Sequence, residues 1–131
     1  MLIDKVAFLY FRHGKILSTR SKGKDKYYIP GGKRESDETD IQTLVREVRE
    51  ELSVEIIPSS ASLYGVFEAQ AHGKVEGVRV MMTCYIAEVE GEFAAASEIA
   101  EIVWLTISDI ENVSPVDRLI FRDLHEKGLL K

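Results

Sequence analysis

Three carboxylates, Glu47, Glu50 and Glu51, stand at i, i+3 and i+4 in a segment whose apolar residues repeat with a helical period. On a helix those offsets share one face, so the side chains crowd together and repel. A hard divalent cation such as Mg²⁺ or Mn²⁺ removes that repulsion, because it prefers oxygen ligands and keeps waters that a phosphate can displace. Taken alone, Glu-x-x-Glu-Glu is also what a solvated acidic face looks like. Two neighbouring features favour a built site. Pro30-Gly31-Gly32 lies upstream, where glycines let the backbone turn sharply and approach a ligand closely. Glu38 and Arg46 carry opposite charge, and a forked arginine–carboxylate pair would tie the loop to the start of the helix.

Together these residues resemble the Nudix box. That pattern runs glycine, five residues, glutamate, seven residues, arginine-glutamate, aliphatic, any, two glutamates, any, glycine, aliphatic. Gly32, Glu38, Arg46, Glu47, Val48, Glu50, Glu51 and Val54 fall at that spacing, and only Ser53 departs from it, standing where the family has glycine. Chance agreement at the other positions is on the order of 10⁻⁸ per start site at average residue usage. The family glycine follows the helix, where a left-handed residue commonly ends it. Serine in that backbone would cost about 1 kcal/mol, so the expectation is an altered helix end rather than lost catalysis.

The resemblance implies an α/β fold, the Nudix α/β/α sandwich with a mixed sheet between helices, in a single domain over residues 1–131. It also implies roles. Glu50 and Glu51 would be metal ligands, with the carbonyl of Gly31 adding another. Glu47 would be a ligand or the base that activates the attacking water, and Glu98, six residues before Trp104, is the competing base and a further candidate ligand. Glu38 and Arg46 would support them from beneath.

The implied activity is Mg²⁺-dependent hydrolysis, with Mn²⁺ as a substitute, of a diphosphate bond in a nucleoside diphosphate linked to another group. A MutT-like nucleoside triphosphate pyrophosphohydrolase is the first expectation, and an ADP-ribose or nucleotide-sugar pyrophosphatase is the alternative. A Nudix-fold module that holds a nucleotide without cleaving it is the rival from another class, and the full set of box carboxylates speaks against it. Arg20, which ends a strand near the loop, and Lys33, directly after the glycines, are the candidate cations facing phosphate; each could equally be a solvated surface cation. Asp117 falls in the last helix, where MutT-type hydrolases contact the base. A third-position acid behind Ser114-Pro115 is also ordinary helix-start chemistry.

The elements that must position these residues follow from periodicity. Residues 6–12 and 15–20 read as a hairpin through His13-Gly14, and residues 27–29 as a short strand entering the Pro-Gly-Gly loop. Ile41, Leu44, Val45, Val48 and Leu52 form one helical stripe, started by Thr39 and Gln42 at capping-box spacing, with Asp40 at the positive end of the dipole. Strands over 63–71 and 78–89 flank a turn holding Gly73 and Gly77, and a loop spans 91–100. A strand over 102–106 leads to a last helix with Ser114 as N-cap, Pro115 next, a buried face of Val116, Leu119, Ile120 and Leu124, and Gly128 at its end.

With 131 residues, 45% hydrophobic and 30% charged, the chain suits one packed domain and not a disordered one. A net charge of −5 excludes a protein that coats nucleic acid through its phosphates. It admits a small-molecule nucleotide whose charge a metal or local cations balance. The one cysteine, Cys84, lies in an apolar run and reads as a buried thiol. No apolar stretch is long enough to span a bilayer, so no membrane partner and a cytoplasmic setting are expected; a homodimer is compatible with the sequence. Tyr27 and Trp104 read as packing aromatics, and His13, His72 and His125 as turn or surface histidines.

Overall fold

Residues 6–9, Val-Ala-Phe-Leu, are apolar at every position, which suits a strand covered on both faces. In the computed structural model, which describes residues 1–131, they close β1 (Leu2–Leu9) and are fully buried. Alternate side chains feed two cores, because successive strand residues point to opposite faces. Val6 and Phe8 pack with Leu17, Leu44, Val48 and Leu52, whereas Ala7 and Leu9 pack with Val80, Met82, Ile120 and Leu124.

In chain order β1 is followed by β2 (Phe11–Arg12), β3 (Lys15–Ser21), β4 (Gly31–Lys33), α1 (Asp40–Leu52), β5 (Glu55–Ile56), β6 (Ser62–Gln70), β7 (Arg79–Ile86), β8 (Val89–Glu90), β9 (Ile99–Leu105) and α2 (Pro115–Glu126), with 3₁₀ turns at Pro58–Ser60 and Ile107–Asn112. The main sheet has the order β4-β1-β7-β6 and is mixed: β1 runs parallel to β7 and antiparallel to β4, and β6 runs antiparallel to β7. Strands β2, β3 and β9 form a second sheet and β5 and β8 a two-stranded ribbon. Helix α1 covers the Val6 and Phe8 face of β1 and α2 the Ala7 and Leu9 face, giving the α/β/α sandwich.

The helix starts as its sequence dictates. The Thr39 hydroxyl accepts from the Gln42 N–H at 3.2 Å, and the Gln42 side-chain oxygen accepts from the Thr39 N–H at 2.9 Å, completing the capping box. Its end departs from expectation. Ser53 adopts the left-handed conformation itself, φ 63° and ψ 23°, so the helix terminates as a glycine would end it. The Ser53 hydroxyl donates to the Ala94 carbonyl at 3.1 Å, a bond glycine cannot make, and this offsets backbone strain.

Several element boundaries also differ. The first hairpin breaks after Leu9, and β2 joins the second sheet with β3. Residues 27–29 form only isolated bridges, Thr19 with Tyr28 and Tyr27 with Val113, while the glycines themselves pair with β1 as β4. On α2, Leu119 is 39% exposed and Phe121 takes its place in the core. Ser114 holds the N-cap position without a side-chain capping bond. No helix is long and apolar enough to cross a membrane.

Candidate active site

Burial of Leu44, Val48 and Leu52 against β1 fixes the rotation of α1 and turns Glu47 and Glu51 toward β4. Two glycines make that approach possible. A Cβ on Gly32 would collide with the Glu47 carboxylate, and one on Gly31, at φ +148°, would run into the Val6 carbonyl. The N–H of Gly31 donates to Glu51 Oε1 at 3.1 Å. Glu51 is 8% exposed, and burial pushes its carboxyl up to about 8; the Gly31 bond opposes this, while Glu47 and Glu98 add to it. Burial likewise raises Glu47, against the pull of Arg46.

Arg46 is the hub of the acidic end. Its Nε and Nη2 grip both oxygens of Glu38 at 2.7 and 2.8 Å, its Nη1 donates to Glu47 at 2.8 Å, and its Nη2 reaches the Lys33 carbonyl at 3.0 Å. The fork holds the Glu38 carboxyl down to about 2, so the loop–helix tie stays charged through all ordinary pH. Glu50 points outward on the same helix, half exposed and 3.6 Å from Arg46.

Glu98 comes from the loop before β9, and that loop is pinned to the end of α1. Ala94 and Ala96 donate their N–H groups to the carbonyls of Leu52 and Glu51 at 2.9 and 3.1 Å, beside the Ser53 bond. The Glu98 carbonyl accepts from the Lys22 N–H at 2.8 Å. Phe93, in the same loop, packs edge-on against Tyr10 and Trp104.

Glu47, Glu51 and Glu98 open onto one cavity of about 460 Å³, together with Gly31, Gly32 and Lys33. Its other half carries the apolar side chains Ile3, Ile29, Ala71, Val80 and Met82, edged by Tyr28, with Thr19, Gln70 and Ser114 as polar members. At the bottom of that half lies Asp117, fully buried. Its Oδ2 accepts from the Ile29 N–H at 2.8 Å, while Oδ1 has no hydrogen-bond partner, and burial pushes the carboxyl up to about 7. Asp117 keeps its place as the acid in the first turn of α2 but is no surface acid: it braces Ile29 ahead of the glycines and leaves one oxygen unpaired.

Arg20 does not belong to this cavity. Its Nε donates to Glu101 at 2.9 Å, beside a Tyr27 hydroxyl bond to the same oxygen at 2.8 Å, so a carboxylate on β9 already engages its charge. The cations that do line the cavity are Lys5, Lys24, Lys33 and Lys74, with His72 at the rim held 3.3 Å from Asp25. Of these only Lys33 was marked by its place in a motif. Lys5 carried a fainter signal, a lone charge at period two between Ile3, Ala7 and Leu9 on an otherwise apolar strand face.

Residues 4–124 match the NUDIX domain. The chain belongs to the NUDIX family. It is 29% identical over 101 residues to the Nudix hydrolase YvcI of Bacillus subtilis (strain 168), a match covering 76% of this chain and 63% of that protein, less than two thirds of its length. The ORF135 protein of E. coli superposes with a TM-score of 0.70 at 28% identity, over 95% of this chain and 89% of that one. The MutT protein of Methanosarcina mazei Go1 shares the fold at TM-score 0.78 and 20% identity, covering 97% and 95%.

The acidic end of this NUDIX domain suits a hard divalent cation. Its donors are all oxygens, and Glu51 is buried beside two further carboxylates that raise it, a penalty a cation would relieve. No three His, Cys, Asp or Glu side chains converge as a ready-made metal cage. The carboxylates face a shared space whose remaining ligands a phosphate and water would supply, as suits a hard divalent cation.

Proposed function

We propose that this NUDIX protein is a Mg²⁺- or Mn²⁺-dependent pyrophosphohydrolase acting on a nucleoside diphosphate linked to another group, with a nucleoside triphosphate as first candidate. The two-ended cavity carries this reading. Carboxylates and Lys33 stand at one end, and an apolar wall with a buried, half-unpaired Asp117 stands at the other. A nucleotide has the same two ends. Glu47, Glu51 and the Gly31 carbonyl would hold the metal, with Glu50 at the rim. When bound, the metal would neutralise phosphate charge and acidify a water.

Glu98 is the better candidate to take the proton from that water. Glu47 would be engaged by the metal and is tied to Arg46 at 2.8 Å, whereas Glu98 lines the cavity from a loop fixed at both ends. Lys33 would face the phosphates. The free Oδ1 of Asp117 would accept an N–H from the base, and a base lacking that donor would leave the oxygen unpaired, at a cost of about 1–3 kcal/mol.

A panel of nucleoside triphosphates, ADP-ribose and nucleotide sugars, incubated with Mg²⁺ and resolved by product, tests this. Nucleoside monophosphate and pyrophosphate from a triphosphate are expected. A monophosphate and a sugar phosphate from nucleotide sugars alone would move the assignment to the alternative. Tight binding with no turnover of any compound would make the protein a nucleotide-holding module.

A further inference from the structure

Arginine and lysine are used differently in this chain. The ion pairs engage Arg20, Arg34, Arg46, Arg49 and Arg79, with Lys127 and His72. Lys5, Lys24, Lys33 and Lys74, all at the cavity, take part in none of them. Lys5 is the unusual member. Lys24 and Lys74 are exposed on loops, and Lys33 follows the glycine turn, but Lys5 lies within β1, half-buried, on the face whose other members Ile3, Ala7 and Leu9 pack into the α2-side core.

The strand register fixes where that charge sits. Lys5 pairs with Lys33 across β4 on one side and with Met82 across β7 on the other. It therefore lies where the glycine-lined, carboxylate-bearing wall meets the apolar wall. Glu51 and Asp117 line the same cavity as Lys5. Directly opposed like charges destabilise a sheet pair, and an ammonium among apolar neighbours without an ion-pair partner adds to that cost. An anion between the two lysines would remove both penalties.

We infer that Lys5 binds the phosphate attached directly to the nucleoside, the group that must lie at the junction of the apolar and acidic halves when the base occupies the first and the bond to be cleaved reaches the second. This rests on the nucleotide reading above and adds to it a phosphate contact on the floor of the cavity. Since that phosphate stays on the nucleoside after cleavage, Lys5 also holds the monophosphate product.

Binding in chelator, without metal or turnover, isolates the contact. Isothermal titration of AMP, CMP, GMP and UMP, and of the four unphosphorylated nucleosides, is run on wild type, Lys5→Met, Lys5→Gln and Lys5→Arg, with a melt of each. Methionine suits the apolar strand face, and glutamine provides a second neutral variant should methionine fail to fold. For the preferred base, the neutral variants should weaken monophosphate binding about ten- to a hundredfold. Nucleoside affinity should stay within about twofold, and arginine should restore most of the loss. Mn²⁺ affinity should not fall in the neutral variants, since they remove a positive charge from beside Glu51. Wild-type monophosphate affinity in both neutral variants overturns the assignment, as does an equal loss for nucleoside and monophosphate, which would mean packing. Those results with intact hydrolysis in wild type sink Lys5 alone. A wild-type protein that binds none of the monophosphates and hydrolyses none of the triphosphates sinks the nucleotide reading as well.

Discussion

Glu51→Gln separates stability from catalysis at the acidic end. The Glu51 carboxyl keeps its proton in the folded protein up to about pH 8, against an ordinary 4.5 in the unfolded chain. Between those values the unfolded chain binds fewer protons, so the stability of the metal-free protein falls as pH rises. At about 1.4 kcal/mol per pH unit, burying this carboxyl costs the fold roughly 3 kcal/mol at pH 7, where it must take up a proton, and 4–5 kcal/mol above pH 8, where it is buried ionised. Glutamine keeps the side-chain oxygen that accepts from Gly31 and has no charge to bury. Water entry limits the recoverable part to about 1–3 kcal/mol, roughly 5–10 °C in a chain of this size.

The assay is a series of melts of wild type and Glu51→Gln in excess chelator from pH 5 to 9, with turnover measured beside them in Mg²⁺. The two proteins should melt together near pH 5, and the variant should gain progressively to pH 8. Mg²⁺ should then raise wild type more than the variant, and the variant should be inactive. A gap that does not change with pH, or a variant less stable throughout, would refute burial of the charge as the cause. Full activity in the variant would remove Glu51 from the metal site.

Three further outcomes follow. Hydrolysis should vanish in chelator and return on adding Mg²⁺ or Mn²⁺, and undiminished turnover by metal-free protein would end the metal mechanism. Ser53→Gly should change stability by less than about 1 kcal/mol, because relief of the left-handed backbone and loss of the Ala94 bond nearly cancel. Ser53→Ala keeps the strain and loses the bond, and denaturant unfolding should place it about 1 kcal/mol below the glycine variant. Asp117→Asn should raise stability at pH 8 but not at pH 4, since burial raises this carboxyl to about 7 and wild type loses stability as pH rises from its ordinary 3.8 to that value. The same variant should alter the ranking of purine and pyrimidine triphosphates in kcat/KM, and an unchanged ranking means Asp117 only braces Ile29.

The parts of the fold that could be read from the sequence are those with a long period. Helix α1 carried five apolar residues on one stripe and a capping box; the box forms, and Leu44, Val45, Val48 and Leu52 face the core while Ile41 stays outside it. Strands β4, β5 and β8 have two or three residues each, too few to show alternation, and β4 contains two glycines that propensity assigns to a turn. Leu119 fitted the helical stripe of α2 yet stays exposed, because Phe121 fills the same core. Ser53 departs from its local pattern for another reason: its side chain donates to a carbonyl on a loop 41 residues away, a contact no local pattern encodes.

The site divides in the same way. The Glu38–Arg46 fork joins residues eight apart and is readable from their charges, whereas Arg20 has only its nearness to the loop in sequence to mark it. Its strand pairs with β9, which sets Glu101 opposite Arg20 and consumes the charge. Lys5 is farther from the box in sequence, but β1 is the strand that β4 pairs with, so register brings it directly opposite Lys33. Which cation meets the ligand was thus decided by strand pairing. An arginine placed in register with a glutamate is spent on the fold, and a lysine placed in register with another lysine keeps its charge for an anion that is not part of the chain.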